Sequence, residues 1–276
     1  MLLFNFSFNL FSQINSIQDS TSYFIEKANY YTNKNNFKNS LFFAQKAIDL
    51  ASQTKDSLTK SNAFATMGYI YYKINKYDDA IMVLERSIKY YNNQKPLENQ
   101  ASEYYLIGLS HLKKINLKKA EDYFQKAENI FLKIKKTNQI ELLNVQKGIV
   151  LGMKDQNDLA KQLFLKIINT NSRNTNLEIK SKALYELGNI EFKQKNHNQS
   201  IDYLKKSLAI NEKDIDQKCE SLLTISLSYE NLGNISKSYE FMKKHIQCKN
   251  DFKNLKYSKS YSKITINLYK TSELKK

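Results

Sequence analysis

Apolar residues recur at helical spacing along most of the chain, in windows of about 15 residues. IYYKINKYDDAIMVLERSI and YYLIGLSHLKKINLKKAEDYFQKA are two such stretches. Short polar breaks interrupt them at Lys34-Asn35-Asn36, Asn75-Lys76, Asn116, Gln156-Asn157, Asn196 and Gly233-Asn234. Each break joins two helical windows, so the pattern predicts a chain of αα-hairpins. A fixed register runs through them. Gly68, Gly108, Gly148 and Gly188 stand 40 residues apart, with Ala28 one step before and Ser226 after a step of 38. Twelve residues beyond each lies Ser40, Ala80, Ala120, Ala160, Ser200 or Ser238, and nineteen beyond lies Ala47, Ser87, Ala127, Ile167, Ser207 or His245. Sixteen beyond is a larger residue: Ala44, Leu84, Phe124, Phe164, Leu204 or Met242, of which only Ala44 is small. Small residues on both helices let the backbones approach, and the +16 residue is expected to fill the space between neighbouring hairpins. One hairpin cannot bury its own apolar face, whereas stacked copies bury a continuous core.

This register resembles the tetratricopeptide repeat (TPR). Its order of small, aromatic, small, large and small residues matches Gly68, Tyr71, Ala80, Leu84 and Ser87. It also matches Gly108, Ala120, Phe124 and Ala127, with His111 in the aromatic's place. The resemblance implies an all-α fold: a right-handed α-solenoid of about six TPR-like hairpins over 19–249, with a C-terminal capping helix and basic tail over 250–276. Two departures from the family pattern are a period of 40 rather than 34 and the lack of its proline after the second helix, except near Pro96. In this family the first helix of each hairpin lines a concave groove. Carried onto this sequence, that rule selects Tyr69, Tyr72 and Lys73, then Tyr105, Leu109 and Lys113, then Ile149, and finally Tyr185, Asn189, Phe192 and Lys193. The family's carboxylate clamp does not carry over, because Ile25 stands where its Lys would be, although Asn29 keeps the Asn. An aromatic groove rimmed by Lys73, Lys113 and Lys193 suits a peptide or amphipathic helix carrying acidic groups. The other reading of the same tyrosines is packing between neighbouring first helices.

Charge changes this picture little. The 276 residues hold 43 Lys plus Arg against 27 Asp plus Glu, a net charge of +16, but Arg86 and Arg173 are the only arginines. Bidentate recognition of bases and phosphates favours guanidinium, so binding to nucleic acid or an anionic surface is the alternative function, resting on lysine alone. The charge concentrates at the end: residues 241–276 carry ten Lys against Asp251 and Glu273.

Residues 1–13, MLLFNFSFNLFSQ, read as a signal peptide or its remnant, with Ser12 as the small residue at the cut but no basic residue before Lys27. A hydrophobic first helix is the competing reading; a cytoplasmic location goes with it, and a periplasmic one with the leader. The pattern resembles the exported TPR sensor region of flavobacterial-type bacterial signalling proteins. That resemblance implies a missing downstream kinase or DNA-binding output module.

Catalytic chemistry is not legible. His111, His197 and His245 fall in separate repeats, and no phosphate loop, HExxH motif or nucleophile elbow occurs. No enzyme activity, cofactor or metal is expected, and the partner is expected to be a protein or peptide. Cys219 and Cys248 sit at the start and end of the two helices of the sixth hairpin, so an antiparallel pair brings them near each other. Disulfide and reduced pair both stay open at this point.

Overall fold

A computed structural model describes residues 2–90, 96–170, 176–210 and 214–251, with side chains described from residue 17 onward. Among the described residues every regular element is a helix. Two compact units divide at Val150 and Leu151. The first holds α1 (Leu2–Asn33), α2 (Phe37–Ser52), α3 (Ser57–Lys73), α4 (Tyr77–Lys89), α5 (Leu97–Lys113), α6 (Leu117–Lys133) and most of α7 (Thr137–Met153). The second holds α8 (Asn157–Asn169), α9 (Leu177–Lys193), α10 (His197–Ile210), α11 (Ile215–Asn231) and a helix over 235–251, here α12. The expected capping helix lies outside the described residues. The segment read as a leader falls in the first turns of α1, where side chains are not described. No described helix is long and apolar enough to cross a membrane.

The 40-residue frame has a direct packing cause. A Cβ added at Gly108 would lie 2.6 Å from two ring carbons of Phe124. At Gly68 it would lie 2.5 Å from Leu84 Cγ, and at Gly188 2.7 Å from Leu204 Cγ. Each pair, zero and +16, belongs to one hairpin. The large residue therefore presses onto the bare backbone of its own partner helix, which corrects the expectation that it fills the space between hairpins. A second small pair lies at −7 and +19. Ser87 Oγ donates to the Ser61 carbonyl at 2.8 Å, and Ser207 Oγ to the Ser181 carbonyl at 2.8 Å. At the zero and +12 positions Ser40 Oγ donates to the Ala28 carbonyl at 2.9 Å, and Ser226 Oγ to the Ser238 carbonyl at 2.7 Å. Serine at these close approaches satisfies a backbone acceptor without adding bulk.

The turns repeat as faithfully as the glycines. Asn35, Asn75, Ile115, Asp155, Lys195 and Gly233 all have positive φ. The next amide donates back five residues in each, as from Asn36 to the Tyr31 carbonyl (2.8 Å) and from Asn116 to the His111 carbonyl (2.9 Å). This is the Schellman ending, which needs one left-handed residue. Asn and Gly tolerate that conformation, but Ile115, with φ of 60°, carries a branched Cβ into it and leaves its side chain 68% exposed. Ile115→Gly is therefore expected to stabilise the first unit by about 1 kcal/mol, because the left-handed penalty of about 1–2 kcal/mol exceeds the entropy cost of glycine. A urea melt checks it; a lower midpoint would show that the isoleucine packs usefully.

Helix starts are capped on the same frame, twelve residues before the small position. Asp56 accepts from the Leu58 and Thr59 amides, Asn176 from Glu178, and Asp214 from Gln217. Burial works to raise the Asp56 pKa, but these bonds and those from the Thr59 hydroxyl and Gln18 hold it below 3.8. In the second unit Cys219 and Cys248 are joined as a disulfide, with Cα atoms 5.6 Å apart.

Candidate functional site

The first unit has a concave pocket of about 760 Å³. Its wall is built almost wholly from first helices. α1 supplies Ser22, Ile25 and Glu26; α3 supplies Asn62, Ala65, Thr66, Tyr69, Tyr72 and Lys73; α5 supplies Asn99, Ser102, Glu103, Tyr105, Leu106 and Leu109, and Leu84 of α4 reaches in from behind. The zero/+16 packing sets each first helix in its hairpin, and the frame then presents equivalent positions side by side.

Five residues selected from the sequence line this pocket: Tyr69, Tyr72, Lys73, Tyr105 and Leu109. Lys113, exposed at the end of α5, and Ile149, half-buried on α7, do not. Tyr185, Asn189, Phe192 and Lys193 belong to the second unit, on α9. There Asn189 hydrogen-bonds the Tyr185 phenol, and Phe192 meets His197 edge-on at 5.6 Å. Sequence reasoning missed Glu26, Glu103 and the small polar residues Asn62, Asn99 and Ser102. They occupy positions −9, −6, −5 and −2, which spacing alone does not assign to a groove.

Burial governs the electrostatics of the pocket. It pushes the Tyr72 phenol above its ordinary 10.0, with smaller contributions from Tyr77 and Tyr69. It pushes Tyr105 further still, against a hydrogen bond with Gln146. Both phenols stay protonated at any physiological pH and offer hydroxyl donors beside ring faces. Lys73 Nζ lies 5.9 Å from the Tyr69 ring centre, so its charge rests on an aromatic face.

The histidines have structural partners. His111 stacks on Tyr123 at 5.5 Å and thus does the work of the aromatic it replaces. Burial, followed by Lys119, holds its pKa below 6.5. His245 Nδ1 lies 2.8 Å from the Cys219 carbonyl. Among the described residues no group of three or more His, Cys, Asp or Glu side chains is placed to hold a metal ion. What the pocket offers chemically is apolar contact, aromatic faces, hydroxyl and amide hydrogen bonds, two carboxylates and the Lys73 ammonium.

Residues 61–94 and 181–214 each match a model described as the tetratricopeptide repeat. Over 194 residues the chain is 23% identical to the TPR repeat-containing protein MJ1428 of Methanocaldococcus jannaschii; this is 70% of the chain and 32% of that protein. The chain therefore spans about a third of the length of that relative. Among solved structures it is similar to the apo form of the quorum sensor NprR from B. thuringiensis, with a TM-score of 0.71 and 16% identity over 83% of this chain and 64% of that one. NprR in complex with its cognate peptide NprX gives a TM-score of 0.65 at 15% identity, over 82% and 66% of the two chains. The apo form of RapI gives 0.65 at 15% identity, over 85% and 99%. At these identities the likeness is one of fold.

Proposed function

We propose that this chain, which carries tetratricopeptide repeats, is a non-enzymatic scaffold holding a peptide or helix of a partner protein in the pocket of its first unit. The observation that carries this reading is the pocket itself. About 760 Å³ walled by Tyr69, Tyr72, Tyr105 and Leu109 on adjacent first helices is a concavity of ligand-binding size, mostly apolar with a few convergent polar groups. That NprR, a fold neighbour, was solved with a peptide supports the class of ligand. A sensory role in an exported bacterial signalling protein, with an output module elsewhere, fits the same reading. The disulfide supports export, since such bonds persist in oxidising compartments.

An octapeptide array probed with the full chain, with hits remeasured by fluorescence anisotropy, tests the site. Tyr69→Ala and Tyr105→Ala are each expected to weaken hits by about 1–3 kcal/mol without loss of helicity. Phe192→Ala, in the second unit, should leave the same peptides bound. Loss of helicity in place of binding would make the tyrosines core residues, and equal loss from Phe192→Ala would move the site away from the pocket.

A further inference from the structure

We propose that residues 254–270 form the first helix of a seventh repeat and cover the outward face of α12. The occupant of that face is thus a segment of this chain, which lengthens the array by one first helix. Residues 252–276 lie outside the described residues; what points to them is the open surface of α12 and the repeat written in their sequence.

In the first and fifth copies, apolar second-helix residues at +9, +13 or +20 pack against the next first helix. Phe37, Leu41 and Ile48 of α2 share a cluster with Phe64 and Met67 of α3. Ile201 and Leu208 of α10 share one with Ile225 and Tyr229 of α11. α12 carries the same apolar set, Ile235, Tyr239 and Ile246, but these are 64%, 61% and 53% exposed. A solenoid that ended on this face would need it polar. The sequence supplies a cover. α3, α5, α7, α9 and α11 each span 17 residues, from −11 to +5 about the small position. Placing the next small position at Thr265, 39 residues after Ser226, gives 254–270. Positions −4, −1 and +3 then hold Tyr261, Ile264 and Leu268, where the second copy has Phe64, Met67 and Tyr71 and the sixth has Leu222, Ile225 and Tyr229. Position −7 is small and buried as Thr21, Ser61, Ala101, Ser181 and Cys219, Glu141 apart, and falls here on Ser258. Position +5, the row of Lys73, Lys113 and Lys193, falls on Lys270. Thr265 is one methyl group larger than Ser226, whereas a shift of one residue either way would put an isoleucine at the small position. Tethering favours this occupant over a second copy or a separate protein. It holds the segment beside α12 at an effective concentration on the order of 1 mM.

Hydrogen exchange of the full oxidised chain, read by mass spectrometry, tests the contact. Amides of residues 258–270 are expected to exchange about tenfold or more slower than in the unfolded chain, with no change on dilution. Ile264→Asp should remove that protection and speed exchange in α12 by about threefold or more. Ile266→Asp makes the same chemical change at +1, a groove position, and should leave both segments as they were. Ile246→Asp, on α12, should release residues 258–270 from the other side of the contact. If Ile264→Asp also loosens α9 and α11, so that the second unit itself is failing, Leu268→Ala reads the same contact with a smaller loss. Exchange of residues 258–270 at unfolded rates in the wild type would overturn the proposal. Equal effects of Ile264→Asp and Ile266→Asp would overturn it too, since the register would then be wrong. Protection that disappears on dilution would give the face of α12 to a second copy and overturn it likewise.

Discussion

Phe124→Ala is expected to destabilise the first unit by about 4 kcal/mol, the range for removing a fully buried aromatic side chain. Phe124 has no exposed surface and sits in a cluster with Ala101, Ala120, Ala127, Phe131 and Leu143. Its ring fills the space opened by the missing Cβ of Gly108, so truncation leaves a void that two rigid helices cannot close. The reciprocal change tests the same contact from the other side. Gly108→Ala gains about 1 kcal/mol of helix propensity, yet places a methyl 2.6 Å from the ring, where overpacking costs about 1–3 kcal/mol or more. Net destabilisation is expected. Gly152→Ala is the control, because its Cβ would meet nothing nearer than Ile190 at 3.8 Å; that variant should gain stability. Combining Gly108→Ala with Phe124→Leu should be less harmful than the two single costs added, the signature of direct coupling. Urea melts of the wild type, Gly108→Ala, Phe124→Leu and the double variant settle this, and additive costs would mean that the glycine and the ring do not depend on each other.

The same pair shows how much of the fold is written plainly. A glycine every 40 residues, with a large residue sixteen later, is enough to place both helices of a hairpin. Its meaning was less legible: spacing links Gly108 to Phe124, and only the packing of α5 on α6 shows that the contact lies inside one hairpin. The turns divide in the same way. Asn35 and Asn75 announce their left-handed residues, whereas at the third and fifth turns the sequence points to Asn116 and Asn196, one residue late. Ile115 and Lys195 take the left-handed conformation because the Schellman bonds fix where it falls, not because their side chains favour it.

The candidate site was legible at the positions that the family rule covers and blank elsewhere. Tyr69, Tyr72 and Tyr105 follow from that rule. Glu26 and Glu103 do not, because they stand at −2 and −5, outside the positions that the rule selects. Many lysines are engaged locally, as Lys126 over Tyr123 at 4.6 Å and Lys161 with Glu191 at 2.7 Å are, so the overall excess says little about the charge inside a pocket.

Breaking the Cys219–Cys248 bond is expected to cost the second unit about 3.5 kcal/mol, the chain-entropy value for a closed loop of this size. The loop spans 29 residues and ties the start of α11 to the end of α12. Both cysteines are buried, beside Leu222 and the half-buried Leu208, Ile215 and Phe241. Around them the repeat is at its weakest. His245 stands where a small residue closes most hairpins, and Met242 is only half-buried where Leu84, Phe124 and Leu204 are fully so. α12 also leaves Ile235, Tyr239 and Ile246 exposed, so apolar burial holds it less firmly than it holds the inner helices. Besides the bond, the contacts that fix its end are His245 with the Cys219 carbonyl and Lys249 with Glu220, at 2.8 and 2.7 Å. The partly exposed ion pair adds little by itself. Reduction should therefore melt α12 first and lower the transition of the second unit, while the first unit, which has no cysteine, melts as before. Cys248→Ser should reproduce the reduced protein under oxidising conditions and lose all sensitivity to reductant. Thiol titration of protein unfolded without reductant is expected to find no free sulfhydryl. Two free thiols in that titration, or identical melts with and without reductant, would show that packing alone holds α12 in place.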